Sequence, residues 1–167
     1  SVREIQNLTL AAASHLESAN VKAILIACNI ATTAALHLVQ EKLSIPVVGI
    51  RPAIIQAFKS HKTGIILMLA TEATTKLPSY QALQESLSQP NVVKDIGCSA
   101  DIVRNVESGI RDDAIYMEIL DRVLKPYHNT VVDGIVLGCT HYPFIETAVK
   151  KYAKEHNIQT WQPIYCS

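Results

Sequence analysis

Two cysteines in this chain stand in segments of one design. In Ala23–Ala35 (AILIACNIATTAA) and Gly134–Val149 (GIVLGCTHYPFIETAV), an apolar run ends on a cysteine, a small polar residue follows, and a helical stretch comes next. In open parallel sheets, sites form where strand carboxyl ends meet helix N-termini. Free N–H groups and the positive dipole end favour an anion there. A thiol at that place is therefore expected to have its pKa lowered from about 8.5, with more thiolate near neutral pH. Cys28 and Cys139 both meet the description, with Asn29 beside the first and Thr140 and His141 beside the second as short hydrogen-bonding groups. Two such thiols facing each other suit the inversion of a carbon acid. One thiolate removes the α-proton from one face while the opposite thiol delivers a proton to the other. The helix N-termini would also hold substrate carboxylates and the developing carbanion charge. Neither a metal nor a cofactor is required, and none is expected. A single cysteine at a strand end is ordinarily a small buried hydrophobe; the matched pair carries the reading.

Other chemistry is poorly represented. Cys98 precedes a helix behind a weaker strand, and Cys166 lies at the chain end with no context. His15, His37, His61, His128 and His156 are scattered, with no ligand spacing, and the cysteines form no C-x-x-C pair, so no metal site is expected. Glycine-rich phosphate loops are absent. With 15 basic and 15 acidic residues among 167, the formal net charge is zero, which argues against nucleic acid or an anionic membrane as the main partner. Apolar residues make up 49% and charged ones 18%, a globular composition long enough for one domain or two small ones. The longest apolar runs (Ala23–Cys28, Thr63–Ala70, Gly134–Cys139) fall far short of the roughly 20 residues that span a bilayer. No charged-then-apolar leader opens the sequence, so a soluble cytoplasmic protein with reduced cysteines is expected.

The elements that must position the two thiols alternate between strand and helix. Ser1 and Glu4 form a capping-box pattern, followed by a helical stripe of Val2, Ile5, Leu8, Ala12 and Leu16. Strands are expected at Val21–Cys28 (too uniformly apolar for a wet face), Pro46–Ile50, Thr63–Ala70, Val92–Ile96, Gly134–Cys139 and Thr160–Ile164. Helices are expected over 30–42, from Pro52 to Lys59, and over Ser79–Ser88, where Tyr80, Leu83 and Leu87 form a stripe. Further helices are expected over Ser99–Ser108 (capped by Ser99 and stopped by Gly109), Asp112–Leu124 (ended by Pro126) and Pro143–Glu155. This alternation specifies an α/β fold with a mainly parallel sheet covered on both faces.

At these residues the chain resembles glutamate racemases, of the aspartate/glutamate racemase family. The matching segments are IACN (Ile26–Asn29), KLSIPVVGI (Lys42–Ile50), ATEATTKLPSY (Ala70–Tyr80), VESG (Val106–Gly109) and GIVLGCTHYPFI (Gly134–Ile145). GCTHYP is the most specific, and its histidine favours the glutamate branch. The resemblance implies two flavodoxin-like or Rossmann-like three-layer domains, residues 1–50 contributing to the first and 51–167 forming the second. One cysteine comes from each. It implies cofactor-independent interconversion of L- and D-glutamate, supplying D-glutamate for peptidoglycan, with Cys28 and Cys139 as the acid/base pair. Asn29, Thr71, Thr74 and Thr140 fall on positions that bind the substrate's amino and carboxylate groups. Glu107 and His141 fall on positions that assist the two thiols. On pattern alone, Thr71 and Thr74 read as a strand exit and a helix cap, Glu107 as a solvated helix end, and His141 as the partner of a backbone carbonyl.

The sequence departs from the family pattern at Ile30, where Cys-Asn-Thr is usual, at Arg51, where Glu precedes proline, and at Ala70, where glycine is usual. It also begins past the family's Asp-Ser-Gly strand and stops before its last helices. An incomplete first domain with uncovered edges is expected, and weak or no glutamate turnover by this exact chain. The small-molecule substrate is the main partner expected, with a homodimer through the open edge as a second. The competing readings are a degenerate, non-catalytic binding or regulatory module, favoured by Ile30, and a related aspartate or hydantoin racemase or decarboxylase, disfavoured by His141.

Overall fold

The structure is a computed structural model that describes residues 1–50, 53–60, 64–86, 93–160 and 165–166. Helix α1 (Val2–Ser18) begins at the expected capping box, in which the Ser1 hydroxyl accepts from the Glu4 N–H and the Glu4 carboxylate accepts from the Ser1 amine, both at 3.2 Å. Its inward face is not the expected stripe. Val2, Leu8 and Leu16 are exposed, while Leu10 and Ala13 pack against Ala35 and Val39 of α2 (Asn29–Lys42). Ala13 and Ala35 are both buried where the two helices meet. Gln6 donates to the Ala34 carbonyl at 2.9 Å.

Strands β1 (Ile24–Ile26) and β2 (Val47–Gly49) pair in parallel with Leu25 opposite Val48. Ile24, Ile26 and Val47 are buried, whereas Leu25 is 62% and Val48 55% exposed. The expectation that this strand has no wet face is therefore incorrect. Among the described residues, α1 and α2 join the core on one face of the pair, and its other face is open.

A larger sheet follows. Strands β3 (Ile66–Thr71), β4 (Val93–Cys98), β6 (Gly134–Leu137) and β8 (Tyr165–Cys166) are all parallel, in the order β4-β3-β6-β8. A separate short parallel pair joins β5 (Val131–Val132) to β7 (Gln159–Thr160). Because strand side chains alternate between faces, β3 and β6 feed two cores. Ile66, Met68, Ala70 and Val136 pack with Ala53, Ile54 and Ala57 of α3 (Ala53–Ser60) and with Tyr80 of α5 (Pro78–Ser86). Leu67, Leu69, Ile135 and Leu137 pack with α6 (Asp101–Glu107), α7 (Asp113–Leu124) and α8 (Glu146–Glu155). The result is a three-layer parallel α/β arrangement, matching the expected flavodoxin-like class. The short helix α4 (Glu72–Thr75) leads from β3 towards α5.

Most boundaries shift by one to three residues. The α6 cap is Ala100, with Ser99 accepting instead from the Asp101 N–H at 3.3 Å. Gly109 does follow the helix with φ +78°, a left-handed conformation that glycine adopts freely. The expected helix from Pro143 is a 3-10 turn over Tyr142–Ile145, then α8. Arg51, Pro52, His61, Thr63, Leu87, Ser88, Val92 and residues 161–164 of the expected last strand lie outside the described residues.

Candidate active site

Both cysteines sit just past a strand end, but the turns that follow differ. Cys28 is the N-cap of α2, in extended conformation, and its carbonyl accepts from the Thr32 N–H at 2.8 Å. Cys139 lies two residues beyond β6, and its carbonyl accepts from the Tyr142 N–H at 2.9 Å, opening the 3-10 turn. Gly138, between strand and cysteine, is required by close approach. A Cβ there would collide with the Met68 methyl and lie 3.1 Å from the Leu69 carbonyl oxygen, which already accepts from the Gly138 N–H at 2.8 Å.

The strand ends meet at a cavity of about 180 Å³. That is below the roughly 300–1,000 Å³ of drug-sized sites and suits one small metabolite. Cys28 and Asn29 line it from the β1 side, and Cys139, Thr140 and His141 from the β6 side. Thr71 and Thr74 line it from the end of β3, and Ile30, Val103 and Gly138 complete the wall. All the expected site residues except Glu107 thus line one cavity. Asn29 bridges its two sides, donating from Nδ2 to the Gly138 carbonyl at 3.2 Å across 109 residues of sequence. The Asn29 amide oxygen is buried without a partner among the described residues, an arrangement that calls for a donor. Thr71 caps α4 by accepting from the Thr74 N–H at 3.3 Å, and the two hydroxyls share a hydrogen bond of 2.9 Å.

Glu107 does not line the cavity. Its carboxylate lies 3.1 Å from His141 Nε2, and His141 Nδ1 lies 3.7 Å from Cys139 Sγ. Glu107 and His141 were expected to assist the two thiols; both stand on the Cys139 side. A carboxylate accepts from Nε2–H, so Nδ1 is left with a lone pair toward the thiol.

The expectation that a helix N-terminus lowers both thiols fails at Cys139, whose pKa is raised. Burial dominates, the nearby Cys28 adds to it, and backbone N–H groups of His141 and Tyr142 offset it only in part. The 3-10 turn also withholds the full α-helical N-terminus that the sequence pattern suggested. The influence of Cys28 places the two thiols within electrostatic reach of each other. Behind them, Cys98 is 1% exposed and is pushed up to about 12, chiefly by burial.

The model of the Asp/Glu/hydantoin racemase family matches residues 3–162. The chain belongs to that family. Among similar racemases, the glutamate racemase of Clostridium botulinum (strain Alaska E43 / Type E3) is 39% identical over 152 residues, covering 90% of this chain and 58% of that protein. The crystal structure of a glutamate racemase isoform from Bacillus anthracis superposes with TM-score 0.79 at 32% identity, covering 99% of this chain and 60% of the other. The Escherichia coli glutamate racemase, solved with L-glutamate and the activator UDP-MurNAc-ala, gives TM-score 0.81 at 27% identity, covering all of this chain and 62% of the other. The chain thus spans about three fifths of the length of these racemases.

Within the racemase-family frame, sequence reasoning missed Gly138 and Val103. Gly138 had a readable signal as the glycine between an apolar strand and a cysteine. Val103 had none, since one apolar residue on a short amphipathic helix reads as core.

Proposed function

We propose that this racemase-family chain carries the cavity in which L- and D-glutamate interconvert, with Cys28 and Cys139 as the two bases. The observation that carries the reading is that both thiols line one small cavity from different strand ends, with Cys139 alone backed by the His141–Glu107 pair. His141 Nδ1 takes the Cys139 proton, and Glu107 balances the resulting imidazolium. The thiolate then removes the α-proton, leaving an electron pair on Cα that its carboxylate shares. Cys28 delivers its own proton to the other face and is left as the thiolate, from which the reverse reaction starts. The unpartnered Asn29 oxygen accepts from the substrate ammonium, and the Thr71, Thr74 and Thr140 hydroxyls serve its carboxylates.

Residues 1–50 and 51–167 are read as two domains meeting at this cavity, on the strength of their separate cores. The open Leu25–Val48 face supports a homodimer. No helix of the described residues is long and apolar enough to cross a membrane; cytoplasmic supply of D-glutamate for peptidoglycan is part of the proposal.

Deuterium incorporation at Cα in D2O tests the reading, with L-glutamate, D-glutamate and aspartate as substrates. Glutamate should exchange and invert, weakly in this chain, which spans about three fifths of its relatives, and Cys28→Ala and Cys139→Ala should each abolish inversion. Exchange of aspartate with glutamate untouched, or inversion surviving in either variant, would sink it.

A further inference from the structure

A second cluster of chemistry-bearing side chains lies outside the cavity, none of them among its lining residues. Asp121 is in the last turn of α7, Tyr152 in the last turn of α8, His156 caps α8, and His128 follows the 3-10 turn after α7. The two histidines, scattered along the sequence, meet because α7 and α8 pack with their C-terminal ends together. Ligand atoms of Asp121, His128 and His156 lie within 4.8 Å of one another. Asp121 Oδ1 and His128 Nε2 are 3.9 Å apart, close to the roughly 3.4 Å that separates two ligands of one tetrahedral zinc ion.

We infer that this cluster is a binding site for one divalent ion of the zinc type, held by Asp121, His128 and His156. Two imidazoles and one carboxylate are a common zinc ligand set, with water completing four-coordination. The surroundings favour a cation, because two helix C-terminal ends direct the negative end of their dipoles here. The orienting contact that metal-bound carboxylates ordinarily have is present: the Tyr152 hydroxyl donates to Asp121 Oδ1 at 2.8 Å. Tyr152 also lies 2.7 Å from His128 Nε2, a contact that ligation by that nitrogen replaces. The rings of His128 and His156 stack with centroids 4.1 Å apart at 10°. Rotation about the broad terminal torsion of each brings the donors onto one ion. The bound ion would fasten α7 to α8.

The test is titration of the intact chain with Zn²⁺, followed by calorimetry and by the imidazole resonances of the unsubstituted protein. One equivalent should bind, His128 and His156 should shift together, and His15 and His37 should stay in place. His128→Gln and His156→Gln should each weaken binding at least about tenfold, and Tyr152→Phe by roughly ten- to a hundredfold. Co²⁺ in place of Zn²⁺ should give ligand-field bands without a thiolate charge-transfer band, which separates this site from Cys28 and Cys139. No uptake, uptake unchanged by the histidine variants, or a thiolate band with the His128 and His156 resonances unmoved would each overturn the inference. The resonances of the unsubstituted chain decide the matter should a variant fail to fold.

Discussion

Glu107→Gln isolates the charge behind Cys139. Glutamine keeps the size of the side chain and an oxygen that accepts from His141 Nε2–H, so the 3.1 Å contact and the orientation of His141 persist. What is lost is the negative charge that stabilises an imidazolium once His141 takes the thiol proton. Glu107 is 62% and His141 31% exposed at the side chain, so solvent screening leaves about 1 kcal/mol of that interaction. This corresponds to about 0.7 pH unit in the thiolate–imidazolium midpoint, or roughly a fivefold loss of thiolate on the acid side of the curve. Alkylation by iodoacetamide reads the thiolate directly, and mass spectrometry assigns the modified cysteine. In the unsubstituted chain the Cys139 rate should rise with a midpoint above that of an ordinary cysteine, because burial opposes the thiolate. In Glu107→Gln the midpoint should move further up and the neutral-pH rate should fall about fivefold, with Cys28 alkylation unchanged. Equal Cys139 rates in the two proteins would refute the relay, and a Cys139 midpoint below about 8.5 in the unsubstituted chain would refute the dominance of burial at that thiol.

Two further outcomes follow from packing. Gly138→Ala should cost about 1–3 kcal/mol in urea denaturation, since the added methyl must displace Met68 and crowd the Leu69 carbonyl at the strand exit; an unchanged midpoint would mean that the β6 exit yields freely. Cys98→Ala should flatten the alkaline loss of stability. The buried thiol holds its proton to about pH 12 in the fold while the unfolded thiol releases it near 8.5, so the native state binds more protons in between and stability falls as pH rises. Between about pH 8.5 and 10, before the tyrosines join in, the unsubstituted chain should lose roughly 2 kcal/mol that Cys98→Ala does not; parallel urea curves across that range would contradict it.

The strands and helices were legible because each is a local pattern: an apolar run of strand length, a capping box at Ser1, a left-handed glycine at 109. Faces were less legible. The Leu25–Val48 pair is as apolar as a buried strand, because an apolar run records that a face should be covered and not by which element. On α1 the larger residues Val2, Leu8 and Leu16 outline a stripe, yet the helix turns Leu10 and Ala13 inward, against Ala35 and Val39 of α2.

The same limit decides the chemistry of the site. That Cys28 and Cys139 follow apolar runs is a local fact, and the resemblance supplied Thr71, Thr74 and Glu107. The links that set reactivity span the chain: Asn29 reaches Gly138 over 109 residues, and Glu107 reaches His141 over 34. Local reasoning sees the backbone N–H groups next to a thiol and predicts a lowered pKa. Burial is imposed by distant elements, and at Cys139 it is the larger effect. A thiol raised by burial has little thiolate of its own at neutral pH, so a base must draw the proton off at the moment of use. On the proposed mechanism the carboxylate-backed imidazole beside Cys139 meets that need, and Glu107, exposed at a helix end, acts on the thiol without lining the cavity.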